Sequence, residues 1–199
     1  MILFLFSGKR KSGKDYIADL FKKQNPEIQT YQISAPLKIE YALQNGLNYQ
    51  ELLTSSNYKE QYRSDMVKFG EDKRKENPFY FCEKIKFKSL EQLQMNVVSD
   101  VRRKTDILYF KNTFEKANPK IHKVVTIRIV ADLATRESRG FVFDENIDNQ
   151  ETECDLDEYE FDFVVENNQD STEEYLVARF LGIFEEVMLE LEDQFEFED

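Results

Sequence analysis

Near the start of the chain two glycines stand five residues apart, and a lysine follows the second: Gly8-Lys9-Arg10-Lys11-Ser12-Gly13-Lys14. This is the G-x-x-x-x-G-K spacing of a loop that wraps phosphate groups. Gly8 and Gly13 let the backbone wind tightly. The N–H groups of the loop, and of the helix it leads into, then converge on an anion. A lysine at position 14 reaches the β- and γ-phosphates of ATP. The spacing alone also suits a charged strand–helix turn, so the flanks matter. Ile2 to Phe6 is a continuous apolar run, as for a buried strand, and Tyr16, Ile17, Leu20 and Phe21 recur at helical spacing.

Asp15 stands where Ser or Thr normally helps to hold Mg²⁺. A carboxylate there serves magnesium directly or through a bound water, and it equally suits the first turn of a helix as a capping residue. Lys9, Arg10, Ser12 and Lys11 complete the nucleotide-binding set expected of the loop, whose extra cations suit an enzyme that brings two anionic substrates together.

Two further clusters carry charge. Val98-Ser99-Asp100-Val101-Arg102-Arg103 follows a strand pattern, at the end of the sheet where ligands of open parallel sheets bind. Asp100 is expected to assist Mg²⁺ or its waters, and Arg102 and Arg103 to grip a phosphate; a surface turn is the plainer reading of the same residues. Arg136 and Arg139 lie three apart on a short helix that stops at Gly140, hence on one face. A lid spanning roughly residues 131–145 would carry them over the transferring group and exclude water; in isolation the pair is equally compatible with plain surface.

The elements that position these groups alternate. Strands are expected at Ile2–Phe6, Thr30–Ile33, Asn96–Ser99, Lys123–Val130 and Phe161–Val165. Helices are expected at Asp15–Lys23, Leu37–Gln44, Tyr58–Lys75, Phe79–Ile85, Thr105–Lys116 (ended by Asn118-Pro119), Ala131–Arg139 and Glu173–Leu191, with a polar loop at Asp144–Asp157. The pattern implies an α/β fold: three layers, a mainly parallel five-stranded sheet, helices on both faces and a small helical lid. No linker interrupts the 199 residues, so one domain, 1–199, is expected.

The net charge of −12 conceals a division. Asp144 to Asp199 holds 22 acidic residues and one basic residue, Arg179, whereas the first 143 residues carry a net +9. The basic part attracts an anionic ligand; the acidic part argues against nucleic acid and reads as solvated helix face and loop. Two cysteines, Cys82 and Cys154, make neither a disulfide framework nor a metal cluster. Met1–Phe6 is too short to span a membrane and runs into the loop, so no signal peptide or membrane segment is expected. The C-terminal Phe-Glu-Phe-Glu-Asp is not a peroxisomal address, which leaves the cytosol, and a monomer is expected.

Ser7 to Asp15 resembles the unusual phosphate loop of animal-type phosphomevalonate kinases, its aspartate included. Four further blocks agree in order: Ala35-Pro36-Leu37-Lys38 with Tyr41-Ala42; Tyr58-Lys59-Glu60 with Arg63, Asp65-Met66, Gly70-Glu71 and Lys73-Arg74; Ser99-Asp100 with Arg102-Arg103 and Asp106; and Arg136-x-x-Arg139-Gly140 with Val142-Phe143. Glu153-Cys154, Leu156-Asp157 and Glu166-Asn167 complete the likeness, which covers nearly the whole chain. The resemblance implies a P-loop, nucleoside-monophosphate-kinase-like fold and the transfer of phosphate from ATP to 5-phosphomevalonate, giving 5-diphosphomevalonate on the route to isoprenoids and sterols, with Mg²⁺. It implies that Lys9 to Asp15, Arg139, Asn168 and Arg179 face ATP, and that Lys38, Arg63, Arg74, Arg102, Arg103 and Asn167 face the acceptor. Lys14, Arg102, Arg136 and Arg139 would carry the catalysis. Two departures, Asp155 for the family's Gly and Asn168 for its His, predict altered ATP affinity with activity retained. The rival readings are a kinase of the same fold acting on a nucleoside monophosphate or dephospho-coenzyme A, and a non-catalytic ATP binder.

Overall fold

A computed structural model describes residues 1–53, 57–88, 95–116 and 122–196. Its centre is β1 (Ile2–Ser7), buried at every position. Alternation along a strand sends neighbouring side chains to opposite faces. Ile2, Phe4 and Phe6 therefore join one apolar cluster, while Met1, Leu3 and Leu5 join another. A strand with two buried faces needs cover on both, and the chain supplies three layers.

The sheet order is β2-β3-β1-β4-β5 and every pairing is parallel. β2 is Gln29–Tyr31, β3 Met95–Val98, β4 Lys123–Val130 and β5 Phe163–Glu166. On the first face lie α1 (Lys14–Gln24) and the long α9 (Glu173–Glu196). Leu176, Phe180, Ile183, Val187 and Leu191 give α9 its buried stripe at helical spacing. Phe180 meets Phe6 and Phe21, with ring centroids 5.6 and 3.7 Å away. The second face is covered by α5 (Lys104–Phe110), which continues as a π-helical turn, Lys111–Glu115, and by the segment around Phe81. A small cluster of Tyr41, Ala42, Leu52 and Met66 joins α2 (Ser34–Asn45), α3 (Tyr49–Leu53) and α4 (Asn57–Glu76) beside the sheet.

The five expected strands all form, as do most helices. α2 starts at Ser34, three residues before the expected Leu37. Pro36 falls in its first turn, where a missing N–H is harmless. Phe79–Ile85 is not a helix but a run of turns with mostly i-to-i+3 backbone bonds. Phe81 and Cys82 are buried there, whereas Tyr80 reaches Glu40 at 2.9 Å. These side chains must point in directions that no single helical stripe offers. α3 was not expected.

The acidic segment is not simply a solvated loop. It contains two short helices, α7 (Glu145–Asp148) and α8 (Glu151–Cys154), and its carboxylates reach back to the basic part of the chain. α6 (Leu133–Ser138) forms within the expected lid and is capped by Asp132, whose carboxylate accepts the Thr135 N–H at 2.6 Å. The expected stop at Asn118-Pro119 and the final residues 197–199 lie outside the described residues.

Candidate active site

β1 ends at Ser7, and Gly8–Gly13 turns directly into α1. Two contacts require glycine in that turn. A Cβ on Gly8 would collide with the Ile129 carbonyl of β4, and one on Gly13 would collide with the Asn167 side-chain amide. Gly13 also has φ of 92°, in the left-handed region that side chains disfavour by about 1 kcal/mol or more. Gly13→Ala is thus expected to weaken nucleotide binding by about tenfold or more, measured by calorimetric titration with ATP, and to lower the melting temperature by about 2–4 °C or more.

Lys14 is buried, and its Nζ donates to the carbonyls of Gly8 at 2.6 Å and Lys9 at 3.2 Å. Burial, with the charge of Arg102 second, pushes its pKa down to about 7. Arg102 thus acts on the same ammonium that serves the loop. Ser12 is 1% exposed and its hydroxyl has no hydrogen-bond partner. A buried hydroxyl without a partner is rare and suits a ligand that completes it. Asp15, at the start of α1, accepts from Ser99 Oγ (3.3 Å) and Gln32 Nε2 (3.2 Å).

The expected lid arginines lie against the loop. Arg136 Nε donates to the Arg10 carbonyl at 2.8 Å, and its guanidinium stacks 3.9 Å from the Phe141 ring centroid. Arg139 donates to Ser12 O (3.2 Å) and Asn167 O (2.9 Å). Asn167 Nδ2 donates to Ser12 O at 2.9 Å. Asn167, expected on the acceptor side, therefore sits on the loop side. Asn168 accepts the Asp132 N–H at 2.9 Å. Arg179, half-buried on α9, has no hydrogen bond or ion pair to another described residue.

On the other side, Arg63 is held bidentately by Glu60, at 2.6 and 2.5 Å. Lys38 is buried on α2, and burial depresses its pKa. Arg102 pairs with Glu153 at 2.6 Å, and Arg103 with Glu71 and with Glu151. Arg74 pairs at 2.7 Å with Asp106, whose other oxygen accepts the N–H groups of Arg102 and Arg103 at 3.0 and 3.1 Å. Asp100 differs from the expected metal ligand: its two oxygens accept the N–H groups of Ile33 (2.6 Å) and Ser34 (3.0 Å), anchoring α2 to the end of β3. No group of three or more His, Cys, Asp or Glu suited to a metal occurs among the described residues.

Three residues of the site were not singled out as binding groups from sequence. Lys59 of α4 has a pKa pushed down to about 8 by burial and by the charges of Lys38 and Arg63. Arg128 bonds Ser7 Oγ (3.0 Å) and Asp157 (2.9 Å). Its signal was a cation inside the apolar run of β4, one residue pair from the loop: Ser7 and Arg128 are register partners. Asp106 is wholly buried and organises three arginines, which sequence spacing cannot reveal.

A sequence model described as phosphomevalonate kinase matches residues 6–116, more than half of the chain. The chain belongs to the phosphomevalonate kinase family. A curated phosphomevalonate kinase of Drosophila melanogaster is 37% identical over 179 residues, covering 87% of this chain and 92% of the relative. Among solved structures, shikimate kinase from Aquifex aeolicus matches with a TM-score of 0.45 at 16% identity, over 95% of this chain and 99% of that one. TT1252 from Thermus thermophilus matches at 0.48 and 14%, over 93% and 97%. Those two likenesses are too weak to carry an argument; family membership makes this phosphomevalonate kinase homologue a phosphotransferase on the strength of sequence.

Proposed function

We propose that the protein transfers the γ-phosphoryl group of ATP to 5-phosphomevalonate, yielding ADP and 5-diphosphomevalonate. The observation that carries this reading is the meeting of two cation groups, the phosphate loop and Arg102 with its neighbours, on one residue: Lys9 Nζ donates to the Glu153 carbonyl and Arg102 Nη1 to the Glu153 carboxylate, each at 2.6 Å. One anion needs only the first group. Two anions that must approach each other need both.

The acceptor is a phosphate monoester, largely ionised at neutral pH. Its attacking oxygen needs no general base, so the protein's work is alignment, charge balance and exclusion of water. The loop N–H groups and Lys14 would hold the β- and γ-phosphates. Arg136 and Arg139, on a lid of about residues 131–145, would balance charge on the transferring group. Arg102, with Arg63, Lys38 and Arg74 or Arg103 near it, would orient the acceptor. Asp15 would hold magnesium directly or through water, and magnesium when bound neutralises polyphosphate charge. The unpartnered Ser12 hydroxyl and the two loop positions that admit only glycine, Gly8 and Gly13, suit the nucleotide.

A coupled ADP-release assay with a panel of acceptors tests the reading. Turnover with 5-phosphomevalonate, and none with nucleoside monophosphates or dephospho-coenzyme A, is expected; ATP binding without acceptor-dependent ADP release would overturn it.

The Lys14 pKa adds a pH dependence. Near pH 7 the free site holds this lysine only about half-protonated, and a bound polyphosphate requires the ammonium. ATP binding should therefore take up about half a proton at pH 7 and approach one proton from Lys14 as pH rises. ATP affinity falls by up to about tenfold per pH unit above 7. Calorimetry in buffers of different ionisation enthalpy measures the uptake directly.

A further inference from the structure

Glu153 of α8 occupies an unusual position. Its Oε1 accepts from Arg102 Nη1 at 2.6 Å, and its main-chain carbonyl accepts from Lys9 Nζ at 2.6 Å. One residue thus joins the phosphate loop to the acceptor-side arginine. Its side chain is 8% exposed, and Oε2 is buried with no hydrogen-bond partner. Its charge also acts on Lys14, Arg63, Arg128 and Arg136. Other carboxylates of this segment pair elsewhere: Asp148 with Arg10, Glu151 with Arg103, Asp155 with Lys104, and Asp157 with Lys9 and Arg128.

A carboxylate oxygen buried without a partner is unfavourable. Here the Arg102 ion pair offsets that cost, with the charges of Lys14, Arg63, Arg128 and Arg136 adding to it, and a phosphate would offer Arg102 more oxygens than one carboxylate. Two anions cannot share such a space without strong repulsion. Glu153 sits on a helix of four residues, α8 (Glu151–Cys154), held to the start of α5 by the Glu151–Arg103 pair and by the Lys104 N–H on the Asp155 carboxylate.

We propose that Glu153 is a stand-in anion, whose carboxylate balances the acceptor-side cations until the acceptor's phosphate displaces it and carries α8 away from Arg102. The proposal rests on the reading of Arg102 as an acceptor-phosphate ligand. Binding is then an exchange of one anion for another, with no covalent change. The exchange sets a threshold: a small free anion must compete with a tethered carboxylate, whereas a substrate that also binds through its remaining atoms has further contacts with which to win.

The test compares wild type with Glu153→Gln, which keeps a hydrogen-bond acceptor for Arg102 and removes the charge. The variant is expected to lower the KM for 5-phosphomevalonate, and the Ki of inorganic phosphate against it, by about fivefold to tenfold at low salt, with the gap closing at high salt. A raised or unchanged KM in the variant would overturn the proposal and make Glu153 a residue that merely orients Arg102. A wild type with no acceptor-dependent turnover would instead remove the underlying reading. A second measurement needs no variant: in wild type, hydrogen-exchange protection of the Lys104 N–H, which donates from α5 to the Asp155 carboxylate at 2.8 Å, is expected to fall when inorganic phosphate is added. Unchanged protection at saturating phosphate would also overturn it.

Discussion

Replacing Lys14 with methionine is expected to leave a folded protein whose turnover is lower by about 10³. Methionine matches the length of the lysine stem, so the burial of that stem beside Gly8 survives. What disappears is the ammonium, already destabilised by burial and by Arg102. Stability should hold or rise slightly, because a desolvated charge has been removed. The steady-state assay with 5-phosphomevalonate and ATP measures the loss, and circular dichroism establishes the fold. Arg102→Ala is the companion variant, expected to lose about 10² to 10³. Its loss should fall mainly on the acceptor, whereas that of Lys14 falls on phosphoryl transfer. Undiminished turnover in both variants would remove the proposed site.

The largest effect on stability is expected at Asp106. Asp106→Ala should destabilise the protein by about 3–5 kcal/mol, the range seen when one partner of a buried ion pair is deleted. Asp106 is wholly buried, and Arg74 opposite it is 10% exposed at its side chain. Removal strands that guanidinium between Phe81, 5.5 Å below it, and an empty carboxylate position. It also frees the N–H groups of Arg102 and Arg103 at the start of α5. Denaturant unfolding measures the energy; a loss below about 1 kcal/mol would mean that water or another acceptor replaces the carboxylate. Because those backbone bonds fix the turn that presents Arg102, any folded fraction should also show a raised KM for the acceptor.

The contrast between Asp106 and Asp100 shows how far residue type and spacing reach. Both are acidic residues beside the Arg102-Arg103 pair. Sequence made Asp100 the candidate for magnesium and left Asp106 without a role in the site. In the fold Asp100 anchors the start of α2 through two backbone N–H groups, and Asp106 gathers Arg74 with the turn before α5. Nothing in the local pattern distinguishes these tasks. A carboxylate's partner is settled by which donors the tertiary fold brings within about 3 Å of it. Asn167 repeats the point: one side-chain amide, expected near the acceptor, packs instead on the loop at Ser12.

The parts whose physics is local could be read from the residues alone. The apolar run of β1, the glycines and lysine after it, and the buried stripe of α9 each follow from periodicity or backbone freedom, which neighbours in the chain already define. Five strands and a parallel sheet followed from alternation. It took the assembled fold to bring the acidic segment back upon the cations, to make Phe79–Ile85 a run of turns, and to draw Lys59 and Arg128 into the charged basin. The reason is range. These outcomes depend on charges and side chains separated by many residues, such as Lys9 and Asp157, whose attraction exists only once the sheet has brought them together.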